Sequence, residues 1–339
     1  MSRDSVASSL FEFHGGLHLR DTLLWFDATA PRQLCFVSHA RVSGSLGHHK
    51  ILATDQTAEL MQALAAAHGR GRRAHEPRAL VSPYGRTFSI GTLGLELFPS
   101  GHVLGAASLL VRHAQVEIVY AGHINPRPDG GLVDRLEARS CDVLVLPCPF
   151  GRRRFAFPPL EQSAGALVEF VTDSLARGLR PVLFCSPLGE AQLVASLLHG
   201  AGVRWRAHRQ IYAACRVYRD AGAELGRVRS FAGSLGEQEA LLWPLDLRQS
   251  PSLGRLERTA TGFVSGLALD RASRQAAACD AAFPISCHAD YDGLLEYVRA
   301  CEPGEVVLME GDGDELEQDL RALGILVSSI TTPRQMSLF

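Results

Sequence analysis

The sequence predicts an α/β protein, and three observations lead there. Short β-branched runs alternate with longer helical patterns along its 339 residues. Apolar residues make up 46% and charged residues 21%, enough to bury a core of roughly two domains and too apolar for a disordered chain. Strand patterns crowd both ends, with a helix–strand–helix pattern between them, which is the order an inserted domain leaves.

In chain order, residues 23–27 and 34–38 read as the first strands. A helix comes next, with Thr54 or Asp55 as its N-cap and Leu60, Met61 and Leu64 on one side. It stops at Gly69, a residue suited to the left-handed position after a helix. The arginine-rich stretch 70–78 then reads as a solvated loop. Strands are expected at 95–99, 108–112, 116–121 and 143–146, a helix–strand–helix pattern from Pro158 to about Leu242 with its strand at 181–186, and strands again at 305–309 and 325–328. The expected division is 1–150 with 286–330 as one domain, 151–285 inserted into it, and 331–339 as a tail.

Charge and cysteine usage narrow the function class. The formal net charge is −2, so no global basic field marks the chain as a nucleic-acid binder. Its positive charge is nearly all guanidinium, since Lys50 is the one lysine, and guanidinium grips phosphate in pairs. Eight scattered cysteines without a C-x-x-C pair exclude a cysteine zinc ribbon and suit buried thiols in a reducing compartment. No run approaches the roughly 18 apolar residues that span a bilayer, so the expectation is a cytoplasmic protein with no membrane partner.

Four of thirteen histidines sit where strands or apolar runs end: His39, His102, His123 and His288. Strand ends are where α/β folds gather chemistry, and imidazoles from several of them can converge on one ion. The surrounding segments carry a family resemblance. Residues 34–54 (LCFVSHARVSGSLGHHKILAT), 98–108 (FPSGHVLGAAS), 118–126 (IVYAGHINP), 182–192 (VLFCSPLGEAQ) and 284–294 (PISCHADYDGL) resemble motifs of the metallo-β-lactamase-fold nucleases with an inserted β-CASP domain. The likeness is greatest to the bacterial ligase-associated DNA exonuclease branch. It implies an αββα sandwich with an inserted β-CASP α/β domain, and a role in DNA repair or replication.

The departures change the chemistry the resemblance implies. The family's His-x-His-x-Asp-His loop falls on His39, Arg41, Ser43 and Gly44, its bridging aspartate on His123, and its β-CASP acid at about Pro147. Only His39, His102 and His288 stand at family ligand positions. Two-metal hydrolysis needs carboxylates to offset the repulsion between cations. A guanidinium at 41 about 4 Å from a dication would repel it by roughly 8 kcal/mol at an effective dielectric of 20. The expected cofactor is therefore none, or a single zinc on His39, His102, His123 and His288. Arg41 either takes the charge role of the lost zinc and holds phosphate or is a drifted surface residue. The expected function is a pseudo-enzyme that binds nucleic acid, DNA before RNA, with an active metal-dependent nuclease using a histidine-only site as the alternative.

Two further segments point to partners. Arg152, Arg153 and Arg154 precede Phe155 and Phe157 at the junction with the insertion, and either contact a nucleic-acid strand or form a basic loop over packed phenylalanines. Gln335, Met336, Ser337, Leu338 and Phe339 resemble the bacterial sliding-clamp-binding peptide, with Met336, Leu338 and Phe339 as groove anchors. An active nuclease paralogue is a further expected partner.

Overall fold

The computed structural model describes residues 6–40, 47–68, 78–127 and 131–330. After a short helix α1 (Val6–Leu10), the first sheet runs in chain order through β1 (Phe11–Phe13), β2 (Leu17–Leu19), β3 (Leu24–Phe26), β4 (Leu34–Phe36), β5 (Lys50–Ala53) and β6 (Arg78–Val81). Pairs β1–β2 and β2–β3 are antiparallel, and β3 to β6 are parallel. Helix α2 (Asp55–Ala67) makes the crossover between β5 and β6, which parallel pairing requires. Thr54 caps it, accepting from Thr57 N at 3.2 Å, and its stripe Leu60, Met61 and Leu64 is buried.

The second sheet gathers β7 (Thr87–Ile90), β8 (Leu93–Pro99), β9 (Ala107–His113), β10 (Val116–Tyr120) and β11 (Val143–Pro147). To these it adds two strands from the far end of the chain, β17 (Glu305–Met309) and β18 (Leu326–Ser329). Its central strands are apolar on both faces because both are covered. Leu109 and Val111 of β9, Tyr120 of β10 and Val145 of β11 face Phe26, Phe36 and Leu24 of the first sheet. The alternate residues Leu110, Val119 and Leu144 face Leu294 and Val298 of α7 (Tyr291–Cys301) and Leu316 of α8 (Asp314–Ala322). On the outer side of the first sheet, Cys35, Ile51 and Ala53 meet Leu60 and Leu64 of α2. The layers therefore run helix, sheet, sheet, helix.

The chain leaves this sandwich after β11 and returns with α7 and then β17, and β11 and β17 pair in parallel, Val143 opposite Glu305. Between them lies a five-stranded parallel sheet ordered β13–β14–β12–β15–β16. Its strands are β12 (Arg180–Cys185), β13 (Arg204–Ala207), β14 (Glu239–Pro244), β15 (Thr259–Val264) and β16 (Ala281–Phe283), with helices α3 (Leu160–Ala176), α4 (Glu190–Gly200), α5 (Arg209–Asp220) and α6 (Arg271–Ala277). Its core is continuous with the outer side of the first sheet, and the Tyr218 hydroxyl of α5 accepts from Leu104 N, in the loop after β8, at 2.9 Å.

Every strand named from the sequence is present within two residues of its expected bounds. The pattern missed β1, β2, β5, β6, β7 and β13 to β16. Strands β15 and β16 lie before residue 286, where the sequence pattern showed none. Their composition explains it: β15 reads TATGFV and β16 AAF, with few large β-branched residues to register. Gly262 is needed there because a Cβ would come within 2.8 Å of Leu183 on β12. Arg78, expected in a loop, begins the exposed strand β6, while Gly69 and residues 70–77 lie outside the described residues. No helix among the described residues is long and apolar enough to cross a membrane.

Candidate functional site

Four strand-end segments bring His39, His102, His123 and His288 together. His39 follows β4, His102 follows β8, His123 follows β10, and His288 precedes α7. Ring centroids lie 4.9 Å apart for His39 and His102, 5.0 Å for His39 and His123, 4.3 Å for His102 and His288, and 4.7 Å for His123 and His288. The convergence depends on tight loops. Gly122 has φ +60°, and a Cβ there would stand 2.7 Å from Ser38 Cβ. Thr54 and Thr57 of α2 both donate their hydroxyls to Gly105 O, at 2.6 and 2.9 Å, fixing the loop that carries His102.

Hydrogen bonding decides which ring nitrogens carry lone pairs. Ser38 Oγ donates to Asp27 Oδ2 at 2.6 Å, so its 2.8 Å contact with His39 Nδ1 places the ring hydrogen on Nδ1 and the lone pair on Nε2. Asp27 is itself fixed by Ser38 N at 3.0 Å and by the Tyr120 hydroxyl at 2.9 Å. His102 Nδ1 lies 2.8 Å from Cys287 O, which can only accept, so His102 also carries its lone pair on Nε2. Such outer contacts are the kind that orient metal-binding imidazoles.

His123 is differently committed. Its Nε2 faces Glu310 Oε2 at 3.0 Å and donates to that carboxylate, which leaves the lone pair on Nδ1. There His288 Nε2 donates at 3.0 Å. His288 Nδ1 then accepts from the Ser286 hydroxyl at 3.3 Å. Desolvation, followed by the nearby His102 and His123, pushes the His288 pKa well below its usual value, so the ring is neutral at pH 7. The His288 ring, the His123 ring and the Glu310 carboxylate thus form one chain of hydrogen bonds.

One ring nitrogen each of His39, His102 and His123 lies within 4.8 Å of the other two, and among the described residues this is the one cluster suited to a metal ion. Tetrahedral zinc ligands stand about 3.4 Å apart, given bonds of about 2.05 Å. The donor set fits a single zinc once His123 exchanges its partner His288 for the metal. Among the described residues no carboxylate belongs to the cluster, and Pro147, at the expected acid position, is the last residue of β11 and pairs with Met309.

Arg41, Ser43 and Gly44 lie outside the described residues. Arg152 is ion-paired to Asp312 and Arg153 to Asp319, while Arg153 N donates to Glu315 Oε2 at 2.8 Å. Arg154 stands 3.7 Å from Asp270 and 4.9 Å over the Phe155 ring. Phe155 and Phe157 are buried with Phe150, which puts their rings in a core and away from any base. The segment 335–339 also lies outside the described residues.

Sequence reasoning missed Asp27, Ser38, Glu190 and Glu310. Glu190, the first residue of α4, is buried, and burial pushes its carboxyl above the usual range. It accepts from Cys287 N at 3.4 Å and lies 3.9 Å from His288 Nδ1. Arg127 pairs with Asp290 and donates to Pro158 O at 3.0 Å and Phe157 O at 3.1 Å, tying the His288 loop to the junction segment.

No family model matches the chain. It is similar to a probable DNA ligase of Opitutus terrae, 30% identical over 329 residues, which cover 96% of the chain and 32% of that protein. It is also similar to the endoribonuclease ysh1 of Emericella nidulans, 29% identical over 130 residues, 38% of the chain and 14% of that protein. An uncharacterized protein of a Synechocystis strain is 27% identical over 242 residues, 62% of the chain and 40% of that protein. The chain therefore spans well under half the length of these relatives.

The different commitments of His102 and His288 should separate in zinc titrations against a chelating dye. His102→Ala is expected to remove binding, whereas His288→Ala leaves it unchanged or tighter because it releases His123 Nδ1. Equal loss in both variants would show that His288 is a ligand.

Proposed function

We propose that this chain is a nucleic-acid-binding accessory protein of DNA repair or replication, built on a β-CASP nuclease scaffold that no longer works with paired metals. In this reading the sandwich from 1–150 and 286–330 is of the metallo-β-lactamase kind and 151–285 is the inserted β-CASP unit. One observation carries the reading: the metal-competent cluster is three imidazoles with no carboxylate, and one of the three has its lone pair engaged by His288. Two dications about 4 Å apart in such a pocket would repel by roughly 16 kcal/mol at an effective dielectric of 20 with no anion between them. The cofactor is a single zinc or none. The relative named as a DNA ligase supports DNA as the nucleic acid, and the relative named as an endoribonuclease supports a nuclease ancestry.

The positive groups assigned to the strand are Arg41 and Arg154, the latter in a longer 3.7 Å contact with Asp270, with Arg152 and Arg153 ion-paired to Asp312 and Asp319 and contributing less. The second reading is a metal-dependent DNA nuclease that uses the histidine-only site. What favours it is the lone pair directed to Nε2 of both His39 and His102, a preset for one zinc. Clamp recruitment rests on the pattern Gln335-Met336-Ser337-Leu338-Phe339, two polar and three large apolar residues in the order of a groove-binding anchor. An active nuclease paralogue is the further partner proposed.

Protein stripped with chelator is expected to bind a labelled DNA oligonucleotide as tightly as untreated protein, within about twofold, and to leave it intact when zinc is restored. Binding that needs metal, or rapid degradation on zinc addition, would establish the nuclease instead. For the tail, deleting residues 335–339 should abolish binding to purified sliding clamp while leaving the melting temperature unchanged. Retained binding would refute the clamp proposal.

A further inference from the structure

A second cleft, rimmed by arginines, lies at the opposite end of the five-stranded sheet from the histidines. It is lined by Arg204 at the start of β13, Glu239 at the start of β14, His199 near the end of α4, and Arg227 and Arg229 from the segment before β14. It encloses about 240 Å³. The histidine pocket instead meets this sheet beyond the carboxyl end of β12, where Gly189 and Glu190 touch Cys287. A six-residue strand rises roughly 20 Å, so the two places are separate.

The cleft is built around a buried carboxylate. Glu239 is 3% exposed and takes Arg206 Nε on Oε2 at 2.6 Å, Arg229 on Oε1 at 3.4 Å and Gly236 N at 2.9 Å. These contacts fix Arg206 and Arg229 in place and neutralise one of their charges. Arg204 and Arg227 form no ion pair among the described residues, so positive charge is left in excess. Gly226, at φ +67°, packs on the His199 ring, where a Cβ would come within 2.6 Å of Nδ1.

Guanidinium forks held at the mouth of a concave site match the oxygens of phosphate. We propose that this cleft binds phosphate groups, gripped by Arg204, Arg227 and the donors of Arg229 that Glu239 does not take. On the function proposed above, the phosphate belongs to a nucleic-acid strand, which gives the strand a second hold well away from the imidazoles. That part of the inference rests on that reading, whereas phosphate binding as such does not.

The test uses the full chain and the double variant Arg204→Gln/Arg227→Gln, with thermal melts confirming that the variant folds. In the first arm, inorganic pyrophosphate is expected to raise the melting temperature of the unaltered protein and to leave the variant unmoved. In the second, a labelled single-stranded oligonucleotide is expected to bind the variant roughly tenfold more weakly, with the slope of log affinity against log salt reduced by about 1.4 for two lost phosphate contacts. A pyrophosphate shift confined to the unaltered protein, with no oligonucleotide binding by either, would uphold the cleft and reject the nucleic-acid reading. Identical behaviour of the two proteins in both arms would overturn the cleft.

Discussion

His288 Nε2 and His123 Nδ1 stand 3.0 Å apart, and the consequences of that one hydrogen bond run through the pocket. A neutral imidazole has one lone pair, so a nitrogen that accepts from a neighbouring ring has nothing left for a cation. Because Glu310 holds the other nitrogen of His123 at 3.0 Å, turning the ring to offer a different atom would break that contact. A metal held by all three of His39, His102 and His123 therefore has to displace His288 from His123.

The scaffold explains how residues so distant in sequence come to share this bond. His39 and Asp27 follow parallel neighbours in the first sheet, His102 and His123 follow strands of the second, and Glu310 follows β17, the strand paired with β11. The inserted segment contributes from its own edge, since Glu190 at the start of α4 accepts from Cys287 N beside His288. The two sheets pack through Phe26, Phe36, Leu109 and Tyr120, and Tyr120 also donates to Asp27, so the core and the pocket share a residue.

Much of this was legible from residue patterns because it is local. A capping Thr54, the stripe Leu60, Met61 and Leu64, and strands 305–309 and 143–146 announce themselves within a few residues. The four histidines were visible as strand-end residues, and their meeting is settled once the strands pair. Glu310 was not, because its partner His123 lies 187 residues away and a lone acid after an apolar run carries no local signal. Arg152 and Arg153 show the converse: as a run of positive charge they suggest a polyanion, yet Asp312 and Asp319 on and before α8 already occupy them. Strands β15 and β16 escaped notice because alanine and glycine supply the close packing there, with little hydrophobic pattern.

The result is a pocket in which imidazoles hydrogen-bond to one another and in which, among the described residues, the cluster suited to a metal ion is histidine alone. The most direct test is the zinc content of the intact protein by native mass spectrometry after exposure to excess zinc and removal of what is loosely held. At most one retained ion per chain is expected. Two tightly held ions would contradict a pocket whose metal-competent groups are imidazoles alone.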